Sequence, residues 1–315
     1  TRMSKLKLIG NNTVRRVLKY EELIPAIETC LLNFSRGKIR QPVRSSVDIE
    51  QHKGVFLSMA AYDTVQDSCA MKMVSFYPNN TQHHSLPCIQ STILHLQPQT
   101  GVLLAVIEAN AITDMRTAAA SAVATKYLAP DNAKVLAIFG AGSQARSHFY
   151  ALTHVQQFQE VVIIWNHTVP NGEKLSKEVS QSFKNVRFCA SAKEAAVNAD
   201  VIVTATNASK PFLKGEWLKN GVHINSVGAC LANWREMDDD CMNQCDLYVD
   251  SREGALKESG DIILCQPKIL GELGEVIEGG CRADRNSKTI FKSLGMAAED
   301  VAASQLVWDK VKDTE

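Results

Sequence analysis

The sequence predicts an α/β protein whose larger part is a doubly wound parallel sheet. Three observations carry this. From Lys134 onward, apolar runs of strand length alternate with helix-compatible stretches, the pattern of a parallel sheet wrapped by helices. One of these strand–helix–strand units holds a glycine-rich turn, Gly140-Ala141-Gly142-Ser143-Gln144-Ala145. Ahead of Asn110 the texture differs: short β-like runs separated by turn-rich breaks read as an antiparallel-like α+β region.

Taken in order, Leu23, Ile27, Leu31 and Phe34 recur at helical spacing, and Pro25 places the start of that helix near Ile24. Strands are expected at 43–47, 54–59, 70–76, 91–96 and 103–107. Breaks such as Asn79-Asn80-Thr81 and Gln97-Pro98-Gln99-Thr100-Gly101 separate them. The alanine-rich run 117–124 is strongly helix-forming. Parallel strands are expected at 135–139, 161–165, 186–189, 201–206, 222–227 and 247–250. A closing helix spans 297–311, with Glu299 and Asp300 in its first turn and Lys310 near its end, as the helix macrodipole prefers.

The chain has 315 residues, enough for two domains or one large α/β domain, and 45% are hydrophobic, enough for a full core. Lys plus Arg equals Asp plus Glu at 34 each, which argues against nucleic acid or an electrostatic membrane anchor as the main partner. No apolar run approaches the length that spans a bilayer. The first residues, Thr1-Arg2-Met3-Ser4-Lys5-Leu6, lead into no apolar signal core, so no secretory leader is expected. Nine cysteines, odd in number and irregular in spacing, read as reduced thiols of a cytoplasmic protein. Cys241 and Cys245 lie four apart but lack nearby histidines, so no metal site is expected.

The glycine turn carries the first chemistry. Gly140 permits a tight turn, Gly142 lets the backbone approach a pyrophosphate, and Ala145 lets the helix pack on the strand. This is the dinucleotide-binding βαβ unit of Rossmann-type folds. An NAD site places Asp or Glu about 20 residues past the turn, to bind the ribose 2′-hydroxyl. Here Asn166, His167 and Thr168 stand at the end of the second strand. All three can donate hydrogen bonds, none repels a 2′-phosphate, and Arg146 adds charge nearby, so NADPH is expected over NADH.

Lys72 shares a strand face with Ala70, Val74 and Phe76. An ammonium on such a face either snorkels to water, or binds an anion, or has its pKa lowered for proton transfer. Arg44 and Arg116 are isolated arginines, and an isolated arginine is more commonly an ordinary surface residue than a ligand. Convergence of these three cations would suit a small carboxylate.

Further segments complete a pattern: Gln41-Pro42-Val43-Arg44, Phe76-Tyr77, Arg116-Thr117-Ala118-Ala119, Ile224-Asn225-Ser226-Val227-Gly228, Trp234-Arg235-Glu236, Leu256-Lys257-Glu258-Ser259-Gly260-Asp261 and Phe291-Lys292-Ser293-Leu294-Gly295-Met296. With Lys72 and the glycine turn, they resemble the ornithine cyclodeaminase/mu-crystallin family over nearly the whole chain. The resemblance implies a homodimer. It implies a discontinuous α+β dimerisation/substrate domain of residues 1–113, completed by 296–315, and an NADP-binding Rossmann domain of residues 114–295. It implies NADPH-dependent reduction of the C=N bond of cyclic ketimine carboxylates, with iodothyronine binding at or near the substrate site. Arg44, Lys72, Phe76, Arg116 and Glu258 are then expected at the substrate, with Lys72 the first candidate proton donor and Glu258 the second. Arg116, Thr117, Gly140, Ala141, Gly142, Ser143, Gln144, Asn166, His167, Thr168, Asn171, Thr206, Asn207, Val227 and Ser293 are expected at the cofactor.

The chain also departs from that pattern. Cyclodeaminases carry an Asp after the fifth Rossmann strand, where this chain has Ala229-Cys230. Cys230-Leu231 replaces a Ser-Arg pair, Cys88-Ile89 replaces Ser-His, and His167 replaces an Arg suited to a 2′-phosphate. Two alternatives therefore stay open: a cofactor-gated hormone-binding or structural protein with little turnover, and an amino-acid dehydrogenase or cyclodeaminase of the same fold.

Overall fold

The computed structural model describes residues 6–159 and 161–314, without the side chains of Gln82, Val161 and Val162. The reading of Thr1 to Lys5 lies outside the described residues. The chain runs β1 (Lys7–Ile9), α1 (Asn11–Val17), α2 (Tyr20–Ser35), β2 (Ile39–Arg40), β3 (Ser45–Ile49), β4 (Gly54–Asp63), β5 (Ser68–Phe76), α3 (Asn80–His83), β6 (Ile89–Leu96), β7 (Leu103–Glu108) and α4 (Asn110–Leu128). It continues β8 (Val135–Phe139), α5 (Ser143–Val155), β9 (Val161–Trp165), α6 (Val169–Val179), β10 (Val186–Cys189), α7 (Ala192–Val197), β11 (Val201–Thr204) and β12 (His223–Ser226). Then follow α8 (Asp239–Asn243), β13 (Asp246–Val249), α9 (Arg252–Glu258), α10 (Gly260–Cys265), β14 (Ile269–Glu272), α11 (Leu273–Glu278), β15 (Thr289–Lys292) and α12 (Ala297–Val311). Two compact units result. One holds the chain up to Arg116 and from Met296 onward, and the other is Thr117–Gly295, so the first division falls inside α4.

In the discontinuous unit the strands order β1-β7-β6-β5-β4, with β2 and β3 both on the far side of β4. Only β1 pairs in parallel, with β7. Burial alternates along β5, as a sheet with one covered face requires: Ser68, Ala70, Lys72 and Val74 point inward. That face packs against α2 and α12, which bring Leu23, Ile27, Leu31, Val301 and Val307. The other face presents a cross-strand apolar row in register, Leu8–Val106–Leu94–Met71–Ala60. Leu8 is 79% exposed.

Helix α2 begins at Tyr20, a turn earlier than Pro25 suggested, with Pro25 inside it. The apolar stripe from Leu23 onward outweighs the one missing amide. Asn80 and Thr81, read as a turn, lie in the short helix α3.

The second unit is a parallel eight-stranded sheet, β10-β9-β8-β11-β12-β15-β13-β14. Every residue of β8 is buried, as in a strand covered on both faces. Strand order reverses between β8 and β11, which places a topological switch point at their carboxyl ends. A polar thread crosses this core. His223 Nε2 donates to Asn225 Oδ1 at 3.2 Å, and Asn225 Nδ2 donates to Thr125 Oγ1 at 2.9 Å. Thr125 donates to the Ser121 carbonyl, and the Ser121 hydroxyl meets His148 Nε2 at 2.9 Å. All nine cysteines are free thiols. Among the described residues, no helix is long and apolar enough to cross a membrane.

Candidate functional site

In the discontinuous unit, four charged side chains are buried together. Lys72 on β5 is 2% exposed. Its Nζ lies 2.9 Å from Oδ1 and 2.7 Å from Oδ2 of Asp300. Arg116 on α4 donates from Nε to the same Oδ1 at 3.1 Å, and from Nη1 to Glu299 Oε2 at 2.7 Å. Asp300 thus bridges two cations that would otherwise repel, and Lys72 does not snorkel. Burial is the largest influence on Lys72 and Arg116 the next. Against the pull of Asp300 they bring its pKa down to about 8. A lysine that gives up its proton near neutral pH is equipped for general-acid work. Cys30, facing the same carboxylates from α2, is pushed well up by burial and then by Glu299, Asp63 and Asp300, so its thiol stays protonated.

In the second unit, Gly140 has φ +125°, and a Cβ there would stand 2.4 Å from the Ala205 carbonyl oxygen. Only glycine makes this turn. Gly142 sits at the N-cap of α5 and brings no capping side chain. A Cβ added there would meet nothing within 4 Å. A helix N-terminus with open space over its first turn fits a pyrophosphate. Ala141 is half-buried, Ser143 exposed and Gln144 half-buried on this turn.

At the end of β9, Asn166 Nδ2 donates to the Thr168 carbonyl at 2.9 Å, which fixes the loop. His167, Thr168 and Asn171 are exposed. Thr168 occupies the N-cap of α6 with no side-chain cap bond. The positive charge expected from Arg146 is met by Glu178, with Nη2 2.7 Å from Oε2, because α5 packs beside α6. That part of the case for a 2′-phosphate falls away.

The carboxyl ends of the central strands are anchored from beneath. Thr206 donates both its amide and its hydroxyl to Glu236 Oε1 at 2.7 Å each. Its hydroxyl oxygen accepts from Ala208 N at 3.2 Å. Both Thr206 donors are therefore spent within the protein. Val227 N donates to the Thr204 carbonyl at 2.9 Å. Ser293 Oγ donates to Asp250 Oδ2 at 3.2 Å, and that oxygen also accepts the Leu294 and Gly295 amides at 2.7 and 2.8 Å. Asn207 is exposed in the loop after β11, and Thr117 is buried in α4.

Arg44 is half-buried just ahead of β3, and Phe76 ends β5 on the face of Lys72. Glu258 ends α9, half-buried. Beside it, Gly260 N donates to the Ala229 carbonyl at 3.3 Å, which seats the loop carrying Cys230 and Leu231 against the start of α10. Lys72 and Arg116, 44 positions apart (116 − 72), share one carboxylate oxygen. Sequence alone assigns no chemistry to Glu299, Asp300, Glu236, Asp261 or Asp250. Glu299 and Asp300 are visible there only as helix-terminal charge. Their setting between Met296-Ala297-Ala298 and Val301-Ala302-Ala303 is the available signal, since acids within a small apolar run are buried acids.

The family model described as the ornithine cyclodeaminase/mu-crystallin family matches residues 7–315. The chain is 48% identical over 290 residues to the ketimine reductase mu-crystallin of Macropus fuliginosus, covering 91% of each. It is 32% identical over 315 residues to a Delta(1)-pyrroline-2-carboxylate reductase of Bacillus cereus, covering 96% of each. Among solved structures, the Thermococcus litoralis Delta(1)-pyrroline-2-carboxylate reductase in complex with NADH and L-proline superposes with a TM-score of 0.93. It is 36% identical, and 96% of each chain is covered. With a family model spanning the described fold from β1 to α12, the chain belongs to the ornithine cyclodeaminase/mu-crystallin family.

Proposed function

We propose that this protein is an oxidoreductase that reduces the C=N bond of cyclic ketimine carboxylates with a nicotinamide cofactor, NADPH in preference to NADH. The observation that carries the reading is the buried Lys72–Arg116 pair. Asp300 and Glu299 hold the two cations side by side, the arrangement in which a small carboxylate would exchange for part of that bonding, and relatives of this chain are reductases of such substrates. The bound cofactor supplies a hydride. The protein's part is to hold the carboxylate through Arg44, Lys72 and Arg116 and to keep the imine nitrogen protonated, so that its carbon accepts the hydride and a secondary amine results. Lys72 is the first candidate for that proton and Glu258 the second. Preference for NADPH rests on Asn166, His167 and Thr168, where no carboxylate meets the 2′ position.

The same reading includes iodothyronine binding, because the hormone carries a carboxylate that the same cations would take, with Phe76 on the same strand face. It includes a homodimer in which the discontinuous unit serves both substrate and dimerisation, supported by the open apolar row from Leu8 to Ala60. Nine free thiols suit a reducing cytoplasmic setting. The test is oxidation of NADPH by Delta(1)-pyrroline-2-carboxylate and its six-membered homologue. Loss of reduced-cofactor absorbance with either supports the reading. No oxidation with both, under conditions where the cofactor binds, defeats it. Ammonia release from ornithine would identify a cyclodeaminase instead.

A further inference from the structure

Beneath the carboxyl ends of β11, β12 and β15 lies a second set of buried charges. Glu236, Asp261 and Lys292 are all 0% exposed. Glu236 Oε2 accepts the Thr204 hydroxyl at 2.7 Å, while Oε1 takes the amide and hydroxyl of Thr206. Asp261 Oδ1 accepts the amides of Glu236 and Met237 at 2.9 and 3.2 Å. Its other oxygen lies 3.3 Å from Lys292 Nζ, which also donates to Ser226 Oγ at 3.1 Å and to the Gly228 carbonyl. Lys292 and Asp261 are directly paired, whereas the Glu236 carboxylate, among the described residues, takes its bonds from Thr204 and Thr206. Burial pushes the Glu236 carboxyl up, and Lys292 with the bonds from Thr206 and Thr204 pulls it back toward the ionised form. With all three groups ionised the cluster carries one net negative charge.

Its place is specified closely. A Cβ on Gly228 would stand 2.3 Å from the Glu236 carboxyl, so the loop after β12 lies directly on it. Thr204 and Thr206 tie the loop after β11 to the same group. These are adjacent central strands, and their carboxyl ends are where doubly wound folds bind ligands. A nicotinamide ring is neutral when reduced and cationic when oxidised. A fixed carboxylate beneath its site acts on the two forms unequally.

We propose that Glu236 is a positioning residue for the nicotinamide half of the cofactor: its carboxylate fixes the loop of Thr206, and its charge favours the oxidised, cationic ring over the reduced one. The proposal rests on the nicotinamide reading above. During hydride transfer the ring gains positive charge as the hydride leaves, so the same preference lowers the barrier to that step.

The test is binding, without substrate, of NADP+ and NADPH to the intact protein by calorimetry or fluorescence. Glu236→Gln is isosteric: its oxygen still accepts from Thr206 and its amide donates to Thr204, so charge alone is removed. NADP+ affinity falls roughly tenfold relative to NADPH, the size of one partly screened charge. Thr206→Val keeps the charge and removes one anchor; both forms then weaken together, several-fold, and their ratio holds. A ratio within twofold of the parent in Glu236→Gln overturns the charge assignment. Unchanged binding of both forms in Thr206→Val overturns the positioning role, and does so even if Glu236→Gln fails to fold. A parent protein that binds neither nucleotide overturns the nicotinamide reading as well.

Discussion

Lys72 is a lysine on an apolar strand face, and the alternation of β5 is enough to single it out. What sequence alone leaves open is its partner, because Asp300 stands 228 positions away. Removing Lys72 leaves Asp300 to Arg116. Lys72→Met is expected to abolish most ketimine reduction while nucleotide binding persists. A charge-assisted contact of ~1.5–3 kcal/mol corresponds to roughly ten- to more than a hundredfold in the constant it supports. Turnover within twofold of the parent, with fold checked by nucleotide binding, defeats the assignment. The pH dependence follows from the pKa of about 8. Lys72 is protonated below that value and neutral above it. If it supplies the proton, the rate at saturating substrate is highest below pH 8 and falls as pH rises through it. A profile flat across that pH moves the proton to Glu258.

Elements were far more legible than their connections. Strands buried on both faces, such as β8, announce themselves as continuous apolar runs, and the closing helix α12 spans the expected 297–311. The two-residue β2 and three-residue β1 are too short for any period to register. Strand β11 stops at Thr204, not at Thr206, because the Thr206 amide turns to Glu236, a partner no local pattern reveals. At the β8–α5 turn the two glycines differ in kind, which gives a paired prediction. Gly140→Ala forces a Cβ against the Ala205 carbonyl at positive φ and is expected to cost about 2 kcal/mol or more of stability. Gly142→Ala meets no protein atom within 4 Å, so thermal stability stays near the parent while nucleotide affinity falls about tenfold or more. Normal nucleotide affinity in Gly142→Ala would remove the pyrophosphate from this turn. The polar elements of the core predict acid sensitivity. Burial lowers the pKa of His95 and His148 to about 4 and of His223 to about 3, against 6.5 for a free imidazole. Below pH 6.5 the unfolded chain takes up protons that the folded core refuses. Stability is therefore complete above that pH and is lost as pH falls toward 4. Each histidine contributes about 2 kcal/mol of loss by pH 5. Urea midpoints that stay constant from pH 7 to pH 5 would contradict this.

At the scale of the whole molecule, the outer face of the sheet in the discontinuous unit calls for an occupant. Its inner face is covered by α2 and α12, yet the outer face carries Leu8, Val106, Leu94, Met71 and Ala60 side by side across five strands. A row of that kind across a broad sheet is not a scatter of single surface apolar residues. The sheet holds seven strands, and a stable homodimer needs about 800 Å² from each partner. Under the homodimer proposed above, a second copy of the chain would meet the requirement with the same residues on both sides, as a two-fold interface demands. Alternation of β5 and β6 made this face readable strand by strand, but the row itself needed the register, which joins residues from Leu8 to Val106. Because Met71 and Leu94 are only half-buried and point away from α12, placing lysines there costs the isolated unit little. In a dimer the same change buries four like charges (two per protomer) with no partners, and each uncompensated buried charge is worth about 3 kcal/mol or more. The double variant Met71→Lys/Leu94→Lys is therefore expected to sediment as a folded monomer at concentrations where the parent is a dimer. Its circular dichroism and nucleotide binding should stay close to the parent's. A parent that sediments as a monomer, or a double variant that remains dimeric, takes the interface away from this face.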